Sequence, residues 1–267
     1  MYSKIFYLPT RALRSLLIPS GKAALMLTAI GLCLWLSPLL PSNSYAADNN
    51  DYTMIKDLTG PTKSRLVWYY TARSAAIQQP AKVEVQDKTF FIDPGVKAPT
   101  VNSVFLLEHS EVKEGEEVLD VGTGSGLHAV FAANKAKRVV ATDISARAIS
   151  NAKRNARLQG VADKIDFRVG DLFAPLKEGE KFDVIFLNIA YPFDKDTVDR
   201  WKLHERFFAE VRKYMKPYAR IYYQIGFIKN IPYVYDMLNR NQLYIMRMSM
   251  VNALKYGTEP ITMMIQE

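Results

Sequence analysis

The chain has 267 residues, 49% hydrophobic and 23% charged, a composition that describes one globular α/β domain with an added N-terminal segment. Its one cysteine, Cys33, lies in an apolar run and excludes a disulfide framework or a thiolate metal site. Lys4, Arg11, Arg14 and Lys22 supply half of the formal net charge of +8, and the mild excess left on the body describes a solvated basic face, which permits nucleic acid as a partner without indicating it.

Residues 1–47 contain no Asp or Glu. Basic residues come first, the apolar run 23–40 follows, and Ser44-Tyr45-Ala46-Ala47 offers a small-x-small cleavage site. That is the order of a signal peptide. The apolar run also approaches the ~20 residues that span a bilayer, so an uncleaved membrane anchor is the second reading and an organelle transit sequence the third. In the first two the body is exported or membrane-anchored outside the cytoplasm, because basic flanks stay on the cytoplasmic side. Residues 48–80 read as a polar tether followed by a helix over 62–79, on the spacing of Leu66, Tyr69, Tyr70 and Ile77.

The main domain spans 81–267. Val83-Glu84-Val85 and Thr89-Phe90-Phe91-Ile92 predict a hairpin, and Asp93-Pro94-Gly95-Val96-Lys97-Ala98-Pro99 a loop into a helix over 101–109. The stretch Val118-Leu119-Asp120-Val121-Gly122-Thr123-Gly124-Ser125-Gly126 then reads as buried strand, tight turn and the start of a helix near Leu127. Glycines at this spacing let a ligand lie against the peptide groups while the helix aims its free N–H groups at it. Dinucleotide sites prefer G-x-G-x-x-G; here the third glycine comes one position early.

A second strand over 138–143 ends in Asp143, about the ~20 residues beyond Gly122 at which a carboxylate reaches ribose hydroxyls. Asp143 or Ser145 caps the following helix, 146–158, whose inner face carries Ile149, Ala152 and Ala156. A third strand, 165–169, runs into Gly170-Asp171-Leu172, and a fourth, 182–187, into Asn188-Ile189-Ala190-Tyr191. Four strand ends therefore converge on one crevice. Beyond it, the stripe Trp201, Phe208, Val211 and Met215 predicts a helix over 199–215 stopped by Pro217, then a strand over 221–225, a helix over 231–238 and apolar strands near 243–251 and 261–265. His109, His128 and His204 are far apart, lack ligand spacing and read as helix-surface or half-buried residues, with no metal site implied.

With Asp120 two residues ahead of the first glycine, the G-x-G-x-G turn resembles the first motif of class I S-adenosylmethionine-dependent methyltransferases. Residues 93–99 are similar to the PGVF-x-P loop of their small-domain branch, with Lys97 in place of Phe. Asn188-Ile189-Ala190-Tyr191 is similar to the Asn/Asp-Pro-Pro-Tyr/Phe segment of the amine-directed members, with both prolines replaced. The resemblance runs from about Val85 to the C-terminus. It implies a Rossmann-like, doubly wound α/β fold, with a seven-stranded, mostly parallel sheet and an antiparallel C-terminal strand.

The implied cofactor is S-adenosyl-L-methionine. Asp120, Gly122, Thr123, Gly124 and Gly126 would form its turn, Asp143 and Ile144 would meet the ribose end, Asp171 would accept from the adenine amino group beside Leu172, and Asn188 would border the methyl. As catalytic residues the resemblance implies Asn188, with the Ile189 carbonyl, accepting the N–H bonds of a nitrogen acceptor, and Tyr191 forming a stacking wall. The acceptor is a protein side chain, a nucleobase or a small molecule. The alternatives are an exported or membrane-tethered cofactor-binding module without turnover, and another transferase on the scaffold, such as an aminopropyl transferase.

Overall fold

The computed structural model describes residues 4–6, 52–55, 67–70, 80–192, 199–251 and 259–267, the first three segments by backbone alone. The apolar run and cleavage site that carry the signal-peptide and anchor readings lie outside these residues; among the described residues, no helix is long and apolar enough to cross a membrane.

Strands β1 (Lys4–Phe6), β2 (Tyr52–Ile55) and β3 (Val67–Tyr70) come first, and β2 pairs with β3 antiparallel. The helix expected over 62–79 is thus corrected at its centre, where Val67-Trp68-Tyr69-Tyr70, all β-branched or aromatic, is a strand. The hairpin forms as expected from β4 (Ala81–Val85) and β5 (Lys88–Ile92). Helix α1 (Val101–Glu108) starts from a reciprocal cap between Thr100 and Ser103.

The main sheet contains β6 (Glu117–Val121), β7 (Arg138–Asp143), β8 (Ile165–Val169), β9 (Phe182–Leu187), β10 (Met215–Ile225), β11 (Tyr244–Met250) and β12 (Ile261–Gln266). Their order is β11-β12-β10-β9-β6-β7-β8, with β1 along the outer edge of β11. β12 runs antiparallel to both neighbours, whereas β10, β9, β6, β7 and β8 are mutually parallel. This is the expected seven-stranded arrangement.

Along the central strands, side chains alternate between two cores. Val118, Val184 and Phe186 pack with α1, the hairpin and the helices α2 (Leu127–Ala132) and α3 (Ala146–Leu158). Leu119, Val121, Ile185 and Leu187 pack on the opposite face against α4 (Trp201–Glu210) and α5 (Ile231–Arg240). Chain direction across the sheet reverses between β6 and β9, which opens a crevice at their carboxyl ends.

One boundary departs from the sequence reading. The helix expected to reach Met215 ends at Glu210, tightens into a single turn of 3₁₀ helix over Val211–Tyr214, and gives way to β10 at Met215. Pro217 lies inside the strand instead of stopping a helix. The pairing with β9 shifts register between Met215 and Arg220, and Tyr218 is left-handed with φ 63°, so the missing proline N–H falls in an irregular stretch of the ladder.

Candidate active site

The glycine turn leaves β6 and enters α2. Asp120, 1% exposed, lies beneath it: Oδ2 accepts from Thr123 Oγ1 at 2.6 Å and from Ala129 N at 3.2 Å. Burial pushes its carboxyl pKa up, against the pull of His128 and these two hydrogen bonds. Asp120 thus ties the turn to the helix behind it and does not face the cavity, which corrects its expected contact with cofactor. Gly126 is corrected in the same way. It is left-handed (φ 88°), and a Cβ there would stand 3.0 Å from Ala152 Cβ and 3.1 Å from Ala152 Cα, so its smallness serves the approach of α3. Gly122 does line the cavity; at φ 72° an added Cβ would lie 2.7 Å from Ile189 Cγ2.

Asp143, at the end of β7, uses both oxygens to fix the backbone: Oδ2 accepts from Gly124 N at 3.0 Å and Oδ1 from Ser145 N at 2.9 Å. Each oxygen keeps a further lone pair for a hydroxyl donor. The capping role falls to Ser145, whose hydroxyl accepts from Ala148 N at 3.2 Å. Ile144 is 73% exposed at the cavity wall, an apolar side chain left open where a ring face would cover it. Leu172 is left-handed (φ 44°) and lines the same end, and Asp171 Oδ2 is met by Arg206 Nη2 at 2.6 Å from α4.

At the end of β9, Asn188 Nδ2 donates to Ser103 Oγ at 3.0 Å, which leaves Oδ1 to accept from a ligand. Tyr191 departs from its expected place. Its hydroxyl meets Asn102 Nδ2, its ring fills the space beside Gly226 where a Cβ would otherwise fit and lies edge-on to Phe227 at 6.1 Å, and it does not line the cavity. The stacking wall is therefore absent in this arrangement.

Together Gly122, Thr123, Gly124, Asp143, Ile144, Asp171, Leu172 and Asn188 line one open cavity of about 290 Å³. Lys97 lines it too; the residue is exposed at the cavity wall, and desolvation by the protein around it, with the Arg200 charge, lowers its ammonium pKa. Among the described residues no group of three or more His, Cys, Asp or Glu side chains is placed to hold a metal.

The histidines are the clearest misreading. His128 and His204, expected on helix surfaces or half-buried, are buried: His128 Nε2 meets Ser103 O at 3.1 Å, and His204 meets Ala190 O at 3.0 Å and Tyr223 at 2.7 Å. Ser103 and Arg206 were also missed. The Thr100-x-x-Ser103 cap was the one local signal for Ser103, whereas nothing in the spacing of Arg206 pointed to Asp171, 35 residues away.

The cavity fits an adenosine-bearing ligand: paired carboxylate oxygens for vicinal hydroxyls, an acid and apolar side chains for the base, and a glycine turn with room for the chain between. Beside it, at the switch point, stands the Asn188 amide oxygen, which accepts no hydrogen bond among the described residues. Fold and site together define a nucleoside-cofactor-dependent α/β transferase.

Residues 112–248 match the family described as a methyltransferase domain. A Methanocaldococcus jannaschii protein, provisionally named a protein N5-glutamine methyltransferase, is 31% identical over 151 residues, which cover 50% of this chain and 74% of that one. The release factor glutamine methyltransferase of Clostridium acetobutylicum is 27% identical over 70% of this chain and 72% of its own length. The ribosomal protein L11 methylase of Lactobacillus delbrueckii subsp. bulgaricus superposes with a TM-score of 0.54 at 26% identity, over 66% of this chain and 83% of that one. The chain belongs to the S-adenosylmethionine-dependent methyltransferases.

Proposed function

We propose that the chain methylates a nitrogen of a protein side chain, with a glutamine amide as the favoured acceptor. The observation that carries this reading is the anchoring of Asn188 Nδ2 by Ser103, which leaves the Asn188 oxygen as an acceptor on a residue that, with Ile189, lines the cavity. The names of the relatives, glutamine and ribosomal-protein methyltransferases, support a protein acceptor over a nucleobase.

S-adenosylmethionine supplies a methyl group on a cationic sulfur. An amide nitrogen is a weak nucleophile because its lone pair is shared with the carbonyl. Two acceptors on its N–H groups would hold the nitrogen in line with the methyl and exclude other approaches, and positioning of this kind accounts for a large share of the acceleration available to a displacement. As the N–C bond forms and the C–S bond breaks, the nitrogen becomes a strong acid. Asn188 is not a base, so the proton leaves to water through the open cavity.

The test is transfer of labelled methyl from S-adenosylmethionine by the full chain to glutamine-containing peptides, with lysine-containing peptides and nucleic acid as comparators. Glutamine peptides should be labelled, and Asn188→Ala should lower turnover by ~10²-fold or more with donor affinity and melting temperature unchanged. Transfer to nucleic acid alone, or full turnover by the variant, overturns the reading. A binding module without turnover is the second reading, favoured by the Tyr191 ring lying away from the cavity; donor binding with no transfer to any acceptor would establish it.

A further inference from the structure

The segment Asn188–Pro192 must present two acceptor oxygens in fixed directions, yet it has Ile189 and Ala190 where the similar motif has prolines. A proline fixes φ and removes conformational freedom that a loop otherwise has to lose. In this chain the restraint comes from outside the segment. Three consecutive carbonyls are each held by a different side chain: Ala190 O by His204 Nε2 at 3.0 Å, Tyr191 O by Arg200 Nη1 at 3.2 Å, and Pro192 O by Asn230 Nδ2 at 2.9 Å.

The chemistry of each contact fixes its direction. A carbonyl only accepts, so His204 Nε2 carries the proton. Burial lowers the His204 pKa to about 4, so the ring is neutral and Nδ1 accepts from the Tyr223 hydroxyl at 2.7 Å. Tyr223 is itself fully buried on β10, which roots the relay in the sheet. Arg200 and Asn230 stand at the N-caps of α4 and α5. An asparagine there ordinarily accepts from its own helix, but neither residue makes a side-chain cap; Asn230 turns to Pro192 O instead.

We propose that His204, Arg200 and Asn230 are positioning residues that hold the backbone of residues 190–192, and through it Asn188 and the Ile189 carbonyl, in place of the two prolines. The proposal rests on the acceptor role given to Asn188 above. It also makes this site dependent on α4 and α5 for its geometry, where a proline-containing segment would carry its own.

Hydrogen–deuterium exchange of the peptide spanning residues 186–192, in the full chain, tests it without requiring turnover. Asn230→Ala and Arg200→Ala should each raise exchange there by ~10-fold while amides of the β6–β8 half keep parental rates. In parallel kcat should fall by about ten-fold at unchanged donor affinity. His204→Gln, which keeps an N–H for Ala190 O, should lose less than His204→Leu. Ala190→Pro should restore exchange protection and kcat to Asn230→Ala.

Exchange that stays at the parental rate in both variants, or rises equally everywhere with global stability, overturns the proposal. If the parent transfers no methyl but local exchange responds as described, the methyltransferase reading of the site falls while the positioning role stands. If the parent turns over and exchange does not respond, the reverse holds.

Discussion

The two halves of the cavity are built by different means. The donor half, at the ends of β6, β7 and β8, is made by short-range geometry: three left-handed glycines, an acid two residues before the first, and an acid nineteen residues beyond Gly124 that accepts its N–H. The acceptor half, after β9, has no special backbone and is held by side chains from α1, α4 and the start of α5. Short-range construction leaves a motif in the sequence. The distant supports of the acceptor half, Ser103, His204 and Asn230, leave none.

Gly126→Val should break the donor half most severely, because it adds a branched side chain at φ 88° against the α3 backbone. Left-handed strain and overpacking together predict a loss of roughly 2–5 kcal/mol, visible as a large fall in melting temperature that donor does not reverse. A variant that melts normally would show that the turn tolerates the movement of α3.

Acid should loosen the acceptor half next. An unfolded histidine titrates near 6.5, whereas folded His204 titrates at about 4. Between these values the unfolded chain binds a proton that the folded chain refuses. The contribution of neutral His204 is therefore complete above pH 6.5, falls as pH drops from about 6.5 to about 4, and is of order 3 kcal/mol in total. Urea midpoints at several pH values for the parent and His204→Gln check this, since His128 contributes in the same direction to both and cancels. Identical pH slopes for the two would remove His204 from the account.

Asp143→Ala should weaken binding of S-adenosylmethionine and S-adenosylhomocysteine by about 1.5–3 kcal/mol, the cost of losing hydrogen bonds to a charged acceptor. It also releases Gly124 N and Ser145 N, so donor affinity and turnover at low donor should fall together. Calorimetry showing parental affinity would move the ribose end elsewhere. The smallest effect belongs to Tyr191→Phe, which loses the hydroxyl contact with Asn102 and should cost about 1 kcal/mol of stability with donor affinity unchanged. A rise in the acceptor KM instead would restore Tyr191 to the acceptor wall.

The same contrast explains what could be read from the sequence. The cap of α3 is legible as one of two residues, Asp143 or Ser145; Gly122, Asp143, Asp171 and Asn188 stand at strand ends that the periodicity and the family resemblance mark, and strands β6 to β9 and helix α3 follow from periodicity itself. The burial of His204 does not, because its partners Ala190 and Tyr223 are brought to it by the fold; judged by local spacing it is one polar residue on an amphipathic helix. Tyr191 matched a motif by offset, but its direction depends on Gly226, a residue in another strand-end loop. The helix expected to run to Met215 shows the limit of a hydrophobic stripe: Val211 and Met215 are buried, as helical spacing requires, yet one sits in a 3₁₀ turn and the other in a strand.

The interior position of β12 has a consequence for the order in which the protein is made. Ile261–Gln266 lies between β10 and β11, both of which leave the ribosome before it. Until it arrives, each of these strands has an open edge, and the apolar side chains that Ile261, Met263 and Ile265 later cover are exposed to solvent or to one another. A nascent chain paused in this interval offers two sticky edges at once, the condition under which strands mispair between molecules. The glycine turn and Asp143, tied together by carboxylate hydrogen bonds that all lie between Asp120 and Ser145, do not share this delay, so a halted chain would carry the ribose end of the nucleoside cradle on an unfinished sheet.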